Sequence, residues 1–159
     1  MTTRELEFDR SLLGVAYPAG TFHVDAKVIR WFCQAIGETN PIHTDETAAR
    51  TAGHPALVAP STFCTVFVRG LGRPDIKLSF GGGGFHAGEA IDVLAPIYAG
   101  DTLTAITRLK DVYAKTGRSG AMVFVVWETT YTNQDGKKVA LSRNTTLRMD
   151  NLREKRNAR

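Results

Sequence analysis

The chain is expected to fold as an α+β protein: a single domain in which one antiparallel sheet curls around a central helix. Three observations predict this. Three stretches in the second half alternate apolar and polar residues with period two, and a fourth is continuously apolar. One earlier segment, Ser61 to Val68, is apolar almost all round. The 159 residues, 43% hydrophobic and 23% charged, suit one ordinary globular core.

Taken in order, Thr21-Phe22-His23-Val24 reads as a short strand. Asp25 follows as an N-cap, its carboxylate accepting from the first free backbone donors of a helix over Ala26–Ile36. Val28, Trp31, Phe32, Ala35 and Ile36 fall at helical spacing and are assigned to its inner face. Gly37 ends the helix. Asp45 caps a short helix running through Arg50 and closed by Gly53. His54 to Pro60 is an extended connector, and Pro60 suits the first turn of a helix, where its missing N–H does no harm. Periodicity alone does not separate helix from strand over Ser61–Val68; Pro60 before it and Gly70 after it favour helix.

The second half supplies the wrapper. Phe85, Ala87, Ile91, Val93, Ala95 and Ile97 alternate, interrupted only by Glu89. Leu103, Ala105, Thr107 and Leu109 alternate, as do Val139, Leu141, Arg143, Thr145, Leu147 and Met149. Val123 to Trp127 is continuously apolar, the pattern of a central strand covered on both faces. Asn133-Gln134-Asp135-Gly136 carries a hairpin signal, and Ala99-Gly100-Asp101 forms another tight turn.

Charge narrows the function classes. The formal net charge is +4, but Asn151–Arg159 carries +3 of it, so the basic balance belongs to a tail at 151–159 that follows a domain spanning 1–150. No aromatic residue lies in that tail to stack on a base, and no nucleic-acid partner is expected. The segment MTTRELEFDRSL has no apolar core of signal-peptide type, and no apolar run approaches the ~20 residues that span a bilayer. A cytoplasmic protein without membrane attachment is the expectation. Cys33 and Cys64 sit in apolar segments and read as buried structural thiols; their spacing to the histidines is not of zinc type, and no metal is expected.

The chemistry concentrates in Gly37-Glu38-Thr39-Asn40-Pro41-Ile42-His43-Thr44-Asp45. Pro41 pushes Asn40 out of the α region, so the stretch begins a turn. A carboxylate and an imidazole held together by a rigid loop can act as a proton-transfer pair. By default His43 is a surface residue, Glu38 a solvated helix-end residue, Asn40 a turn residue and Asp45 an N-cap. His23, His54 and His86 lack any such context and read as structural. Gly81-Gly82-Gly83-Gly84 is followed by Phe85-His86 rather than the Lys-Ser/Thr pair of a phosphate loop, and reads as a lid or strand lead-in.

The nine-residue stretch resembles the G-D-x-N-P-[aliphatic]-H-x-D signature of MaoC-like hydratases and dehydratases, the (R)-specific enoyl-CoA hydratase group of the hot-dog fold. Eight positions fit; Glu38 stands where that family usually has Asp. Leu57 to Phe63 looks like the entry to the central helix of the N-terminal dehydratase-domain branch. Ala87-Gly88-Glu89, Pro96 to Leu103, Gly117 to Gly120 and Asn133 to Gly136 look like its strands and turns. The resemblance implies His43 and Glu38 as the catalytic pair, Asn40 as the residue orienting loop or water, and donors near Ser61 and Thr62 for the thioester oxygen. Pro60 has no N–H, which shifts the first donor to Ser61.

It further implies reversible hydration of an acyl-CoA or acyl-carrier thioester with no cofactor. A single such layer leaves one sheet face and edge open, so a homodimer or higher even oligomer, or a heterodimer of two such layers, is expected. Lys110, Lys115 and Arg118 are candidate contacts for CoA phosphates. Phe63, Phe67 and Trp127 could line an apolar tunnel, or be plain core. Glu38 keeps a second function open, a non-catalytic acyl-binding subunit paired with an active hot-dog partner. An acyl-CoA thioesterase is a third and weaker reading.

Overall fold

The computed structural model describes residues 6–118 and 120–149. The expected basic tail lies outside the described residues. Five strands form one antiparallel sheet: β1 (Ala16–His23), β2 (Gly82–Val93), β3 (Thr102–Gly117), β4 (Gly120–Thr132) and β5 (Lys138–Met149), in spatial order β1-β3-β4-β5-β2. The helices α1 (Ala26–Ile36) and α2 (Glu46–Thr51) and 3-10 turns at Arg10–Leu12, Pro41–His43 and Phe63–Gly70 complete it. The arrangement is the hot-dog fold.

Local chemistry sets the element ends. Asp25 caps α1 by accepting from the Lys27 N–H at 2.6 Å. Gly37 ends it in the left-handed region at φ 71°, which glycine adopts without penalty. Asp45 caps α2 through the Ala48 N–H at 3.0 Å. Gly81 is pressed against the carbonyl of Met149, so that a Cβ there would collide with it, and Gly82–Gly84 open β2 as its lead-in.

Four expectations need correction. The central helix is a 3-10 helix over Phe63–Gly70 rather than an α-helix over Ser61–Val68. The Phe63 N–H bonds back to the Pro60 carbonyl at 2.9 Å, so Pro60 to Thr62 are used up in a turn. The inner face of α1 is Ile29 and Cys33 with Ala26 and Phe32 partly covered, while Val28, Trp31, Ala35 and Ile36 are exposed, Trp31 at 65%. Two apolar stripes compete on this helix, and the sheet covers only one.

The third correction concerns β2. It ends at Val93, because the Leu94 and Ala95 N–H groups both turn onto the Val139 carbonyl; Ala95 and Ile97 enter the core beyond the ladder. The fourth concerns β4, which is central but covered on one face in this chain. Val123, Val125 and Trp127 are buried, and Phe124 and Val126 are half-buried. The outer face instead carries an ionic ladder, Lys110–Glu128–Arg143–Asp92, across four strands.

The core has two apolar clusters. One joins α1, Leu57, Phe63, Phe67 and the Leu103 and Tyr131 ends of β3 and β4. The other joins Leu109, Val123, Val125 and Trp127 to Ile76 and Leu78. Phe63 and Phe67 pack edge to face at 5.6 Å in the first, whereas Trp127 belongs to the second, so these three rings are core and do not line one tunnel.

Candidate active site

The Glu38–Asp45 loop is held from three sides. Asn40 caps the Pro41–His43 turn, its Oδ1 accepting from the Ile42 N–H at 3.2 Å. Arg30, on α1, donates through Nε to the Thr44 carbonyl at 3.0 Å and through Nη2 to Glu46 at 3.2 Å. The connector Leu57–Ala59 runs alongside: the Val58 N–H donates to the Ile42 carbonyl, and the connector pairs with Ile97–Ala99 through Ala59 N–H to Ile97 O and Ala99 N–H to Leu57 O.

This strap orients the imidazole. His43 Nδ1 lies 2.6 Å from the Val58 carbonyl oxygen. A carbonyl only accepts, so Nδ1 carries the proton and the neutral ring presents Nε2 as a base. Val58 is 9% exposed, which keeps competing water from its carbonyl.

Glu38 is turned onto its own loop. Its Oε1 accepts from the Asn40 N–H at 2.8 Å and the Thr39 N–H at 2.9 Å. The Asn40 bond, with the Thr39 bond and the nearby His43 adding to it, holds the carboxyl below the usual glutamate range against a smaller opposing effect of desolvation. Glu38 is therefore an anion at neutral pH, close enough to His43 to interact electrostatically. Cys33 lies beneath, buried, its thiol pushed up by desolvation and then by Glu38. A raised thiol is protonated at neutral pH and a poor nucleophile.

Ser61 and Thr62 stand exposed at the front of the central 3-10 helix, and Thr62 makes no side-chain cap. Among the described residues neither N–H is taken up by a loop or turn carbonyl. Ser61 borders a groove of about 370 Å³ with Val58, Pro60, Val93, Leu94 and Ile97. Val58 thus belongs to both, its carbonyl holding His43 while the residue lines the groove. A larger hollow of about 530 Å³ lies between Pro55 and the Asn133–Lys137 hairpin, lined by Asp101 and Gln134. Gln134 Nε2 donates to Asp101 Oδ1 at 2.9 Å and the Tyr98 N–H to Oδ2 at 2.8 Å, so this acid is a turn clamp.

The structure thus brings Glu38, Asn40 and His43 together in one loop, and the Val58 strap ties that loop to the groove that Ser61, next to Thr62, borders. It does not bring the phosphate candidates there. Lys110 is paired with Glu128, and Lys115 and Arg118 lie at the end of β3 remote from the Tyr98–Asp101 turn, Lys115 over the Tyr113 and Phe124 rings. His54 meets the Tyr98 hydroxyl at 3.3 Å and His86 meets Asn144 at 3.4 Å, both as packing partners. Sequence reasoning missed Arg30 and the Val58 carbonyl. Arg30 reads as an ordinary surface position of α1, and a main-chain partner has no residue signature.

Comparison with known proteins agrees with this architecture. Residues 11–142 match the family described as FAS1-like, dehydratase domain region. A UPF0336 protein of Streptomyces coelicolor is 30% identical over 118 residues, 70% of this chain and 78% of that protein. The crystal structure of the C-terminally truncated HadBC (3R-hydroxyacyl-ACP dehydratase) complex of Mycobacterium tuberculosis superposes with a TM-score of 0.70 at 25% identity, covering 87% of this chain and 98% of that one. A MaoC-like dehydratase of Rhodospirillum rubrum superposes at 0.67 with 22% identity, over 91% of this chain and 97% of the other.

Proposed function

Because this chain belongs to the FAS1-like dehydratase family, we propose that it adds water reversibly and (R)-specifically to 2-enoyl thioesters, and so equally dehydrates 3-hydroxyacyl thioesters. The observation that carries this reading is the hydrogen bond from His43 Nδ1 to the Val58 carbonyl, beside an ionised Glu38. It fixes a tautomer whose free Nε2 is an acceptor.

A water between Nε2 of His43 and the Glu38 carboxylate attacks C3 while Nε2 takes its proton. The Glu38 anion steadies the imidazolium so formed. The thioester oxygen gathers negative charge, which the free N–H groups of Ser61 and Thr62 receive. Collapse of the enolate returns one proton from His43 to C2, and the enzyme ends as it began. Glu38 stays ionised throughout, because the loop N–H groups that hold its carboxyl low make it a poor proton donor.

The groove beside Ser61 is the acyl entry, of a size at the lower end of ordinary ligand sites. The substrate is a CoA or carrier-protein thioester. A second hot-dog chain completes the assembly, homodimeric or heterodimeric; the HadBC dehydratase is itself a complex. The test is turnover of trans-2-enoyl-CoAs by the wild type and His43→Ala. Loss of turnover in a folded variant supports the assignment. Full activity in that variant refutes it, and free thiol released from an acyl-CoA would point to a thioesterase instead.

A further inference from the structure

The hollow of about 530 Å³ and the groove of about 370 Å³ are neighbours. Pro96 lines both, and one strap walls both, Ala56 at the hollow and Val58 to Ser61 at the groove. The Ala59 and Ala99 N–H groups tie that strap to Ile97–Ala99, so the two spaces follow each other along the same backbone. Between Ala56 and Ser61 the chain spans at most about 17 Å. A thioester whose carbonyl meets the Ser61 N–H therefore has the hollow within reach of the arm that carries it.

The hollow has two unlike sides. Pro55, Ala56, Pro96 and Ala99 make one of them apolar. The Asn133–Lys137 turn makes the other, and it is fixed from within. Asn133 Oδ1 accepts from the Asp135 and Lys137 N–H groups at 3.1 and 3.0 Å, and Gln134 bridges the Thr102 N–H and Asp101. Those bonds occupy the side-chain acceptors of Asn133, Gln134 and Asp101. What they leave are donors. Among the described residues no partner takes up Asn133 Nδ2 or the ammonium of Lys137, the one cation in the lining. Against them stands the carboxylate of Asp135, exposed in the turn and screened by solvent.

A ligand matched to this lining carries amide or hydroxyl acceptors beside an apolar group and ends in an anion. Phosphopantetheine, the arm shared by CoA and acyl-carrier proteins, has that make-up: amides and a hydroxyl, a gem-dimethyl carbon, and a phosphate at the end remote from the sulfur. The acyl chain itself suits the groove, with Val58, Val93, Leu94 and Ile97, and not the polar turn.

We propose that the hollow seats the phosphopantetheine arm of the thioester substrate, with the phosphate on Lys137 and an amide carbonyl on Asn133 Nδ2. The proposal rests on the acyl-thioester reading above. Steady-state hydration of trans-2-enoyl-CoA tests it. Lys137→Glu should raise KM roughly 10-fold and leave kcat within about 2-fold, since a contact remote from the reacting carbons binds ground state and transition state alike. Lys138→Glu makes the same change of charge at the next exposed residue, outside the hollow, and should move KM by no more than about 2-fold. The same enoyl group on N-acetylcysteamine, which has no phosphate, should show no rise in Lys137→Glu. The rise should appear with an enoyl-carrier protein as with enoyl-CoA, and the thioester with the lower wild-type KM identifies the source of the arm. An unchanged KM in Lys137→Glu, or an equal rise in Lys138→Glu or with the N-acetylcysteamine thioester, would overturn the subsite alone. Absence of turnover with every thioester in the wild type would overturn the acyl-thioester reading and the subsite with it.

Discussion

At the residue scale, Glu38 shows how an extra methylene is absorbed. An Asp at this position would accept from the N–H two residues on, as in an Asx turn. Glu38 makes that same bond to Asn40 by curling its longer chain back. The loop therefore holds either acid, and Glu38→Asp is expected to retain turnover within about 10-fold. Glu38→Gln keeps an acceptor for both N–H groups but removes the charge beside His43. Its melting temperature should stay near the wild type while kcat falls on the order of 100-fold. A calorimetric scan beside a steady-state assay separates the two effects. His43→Ala leaves the Val58 carbonyl unpaired, which costs about 1 kcal/mol, a shift of a few degrees.

The shape of the candidate loop was legible because its residues are adjacent in sequence: Pro41 forces the turn, and Glu38 and His43 lie five residues apart on either side of it. What holds His43 in register was not, since the Val58 carbonyl arrives from fifteen residues away through main-chain atoms.

At the element scale, the turn after Tyr98 and the ladder of charges on the outer face make separate predictions. Asp101 is 6% exposed and accepts from the Tyr98 N–H and Gln134 Nε2. Removing it in Asp101→Ala should cost about 2–3 kcal/mol, because hydrogen bonds to a charged group are lost. Urea titration would show it as a lower midpoint at unchanged slope. Glu128 is held below the usual glutamate range by its hydrogen bond to Lys110 first and by Arg143 second. A depressed carboxyl adds stability above its unfolded value of 4.5 and loses it as pH falls through the lower folded value. Stability should therefore fall below about pH 4.5, and Glu128→Gln should flatten that part of the profile.

Strand positions were legible from the period-two pattern because side chains alternate rigidly across a sheet. The buried face of α1 was not. Stripes beginning at Ala26 and at Val28 are both apolar, and only the position of the sheet selects the first. The central helix was placed within two residues but with the wrong pitch, since β-branched Thr65, Val66 and Val68 blur helical periodicity.

At the scale of the whole molecule, β2 is an edge strand with Phe85 60% exposed. Unpaired strand edges recruit partners, and a two-fold dimer through this edge is expected. Light scattering should give twice the chain mass, and Phe85→Lys should return the protein toward a monomer. A wild-type monomer at micromolar concentration would contradict this. The single sheet around one helical segment was readable from hydrophobic patterning. The polar contact inside it left only one trace, Glu89 breaking an otherwise apolar alternation, because Asn144 meets Glu89 through strand pairing and Arg73 reaches Asn144 from the segment after the central helix.

The measurement that tests the central claim most directly is the ultraviolet absorbance of the conjugated enoyl thioester when purified protein meets crotonyl-CoA and longer trans-2-enoyl-CoAs. Hydration predicts loss of the band with no free thiol released, abolished in His43→Ala. An unchanged band across all chain lengths, with the protein folded and dimeric, would contradict a self-sufficient hydratase and leave the role of partner subunit.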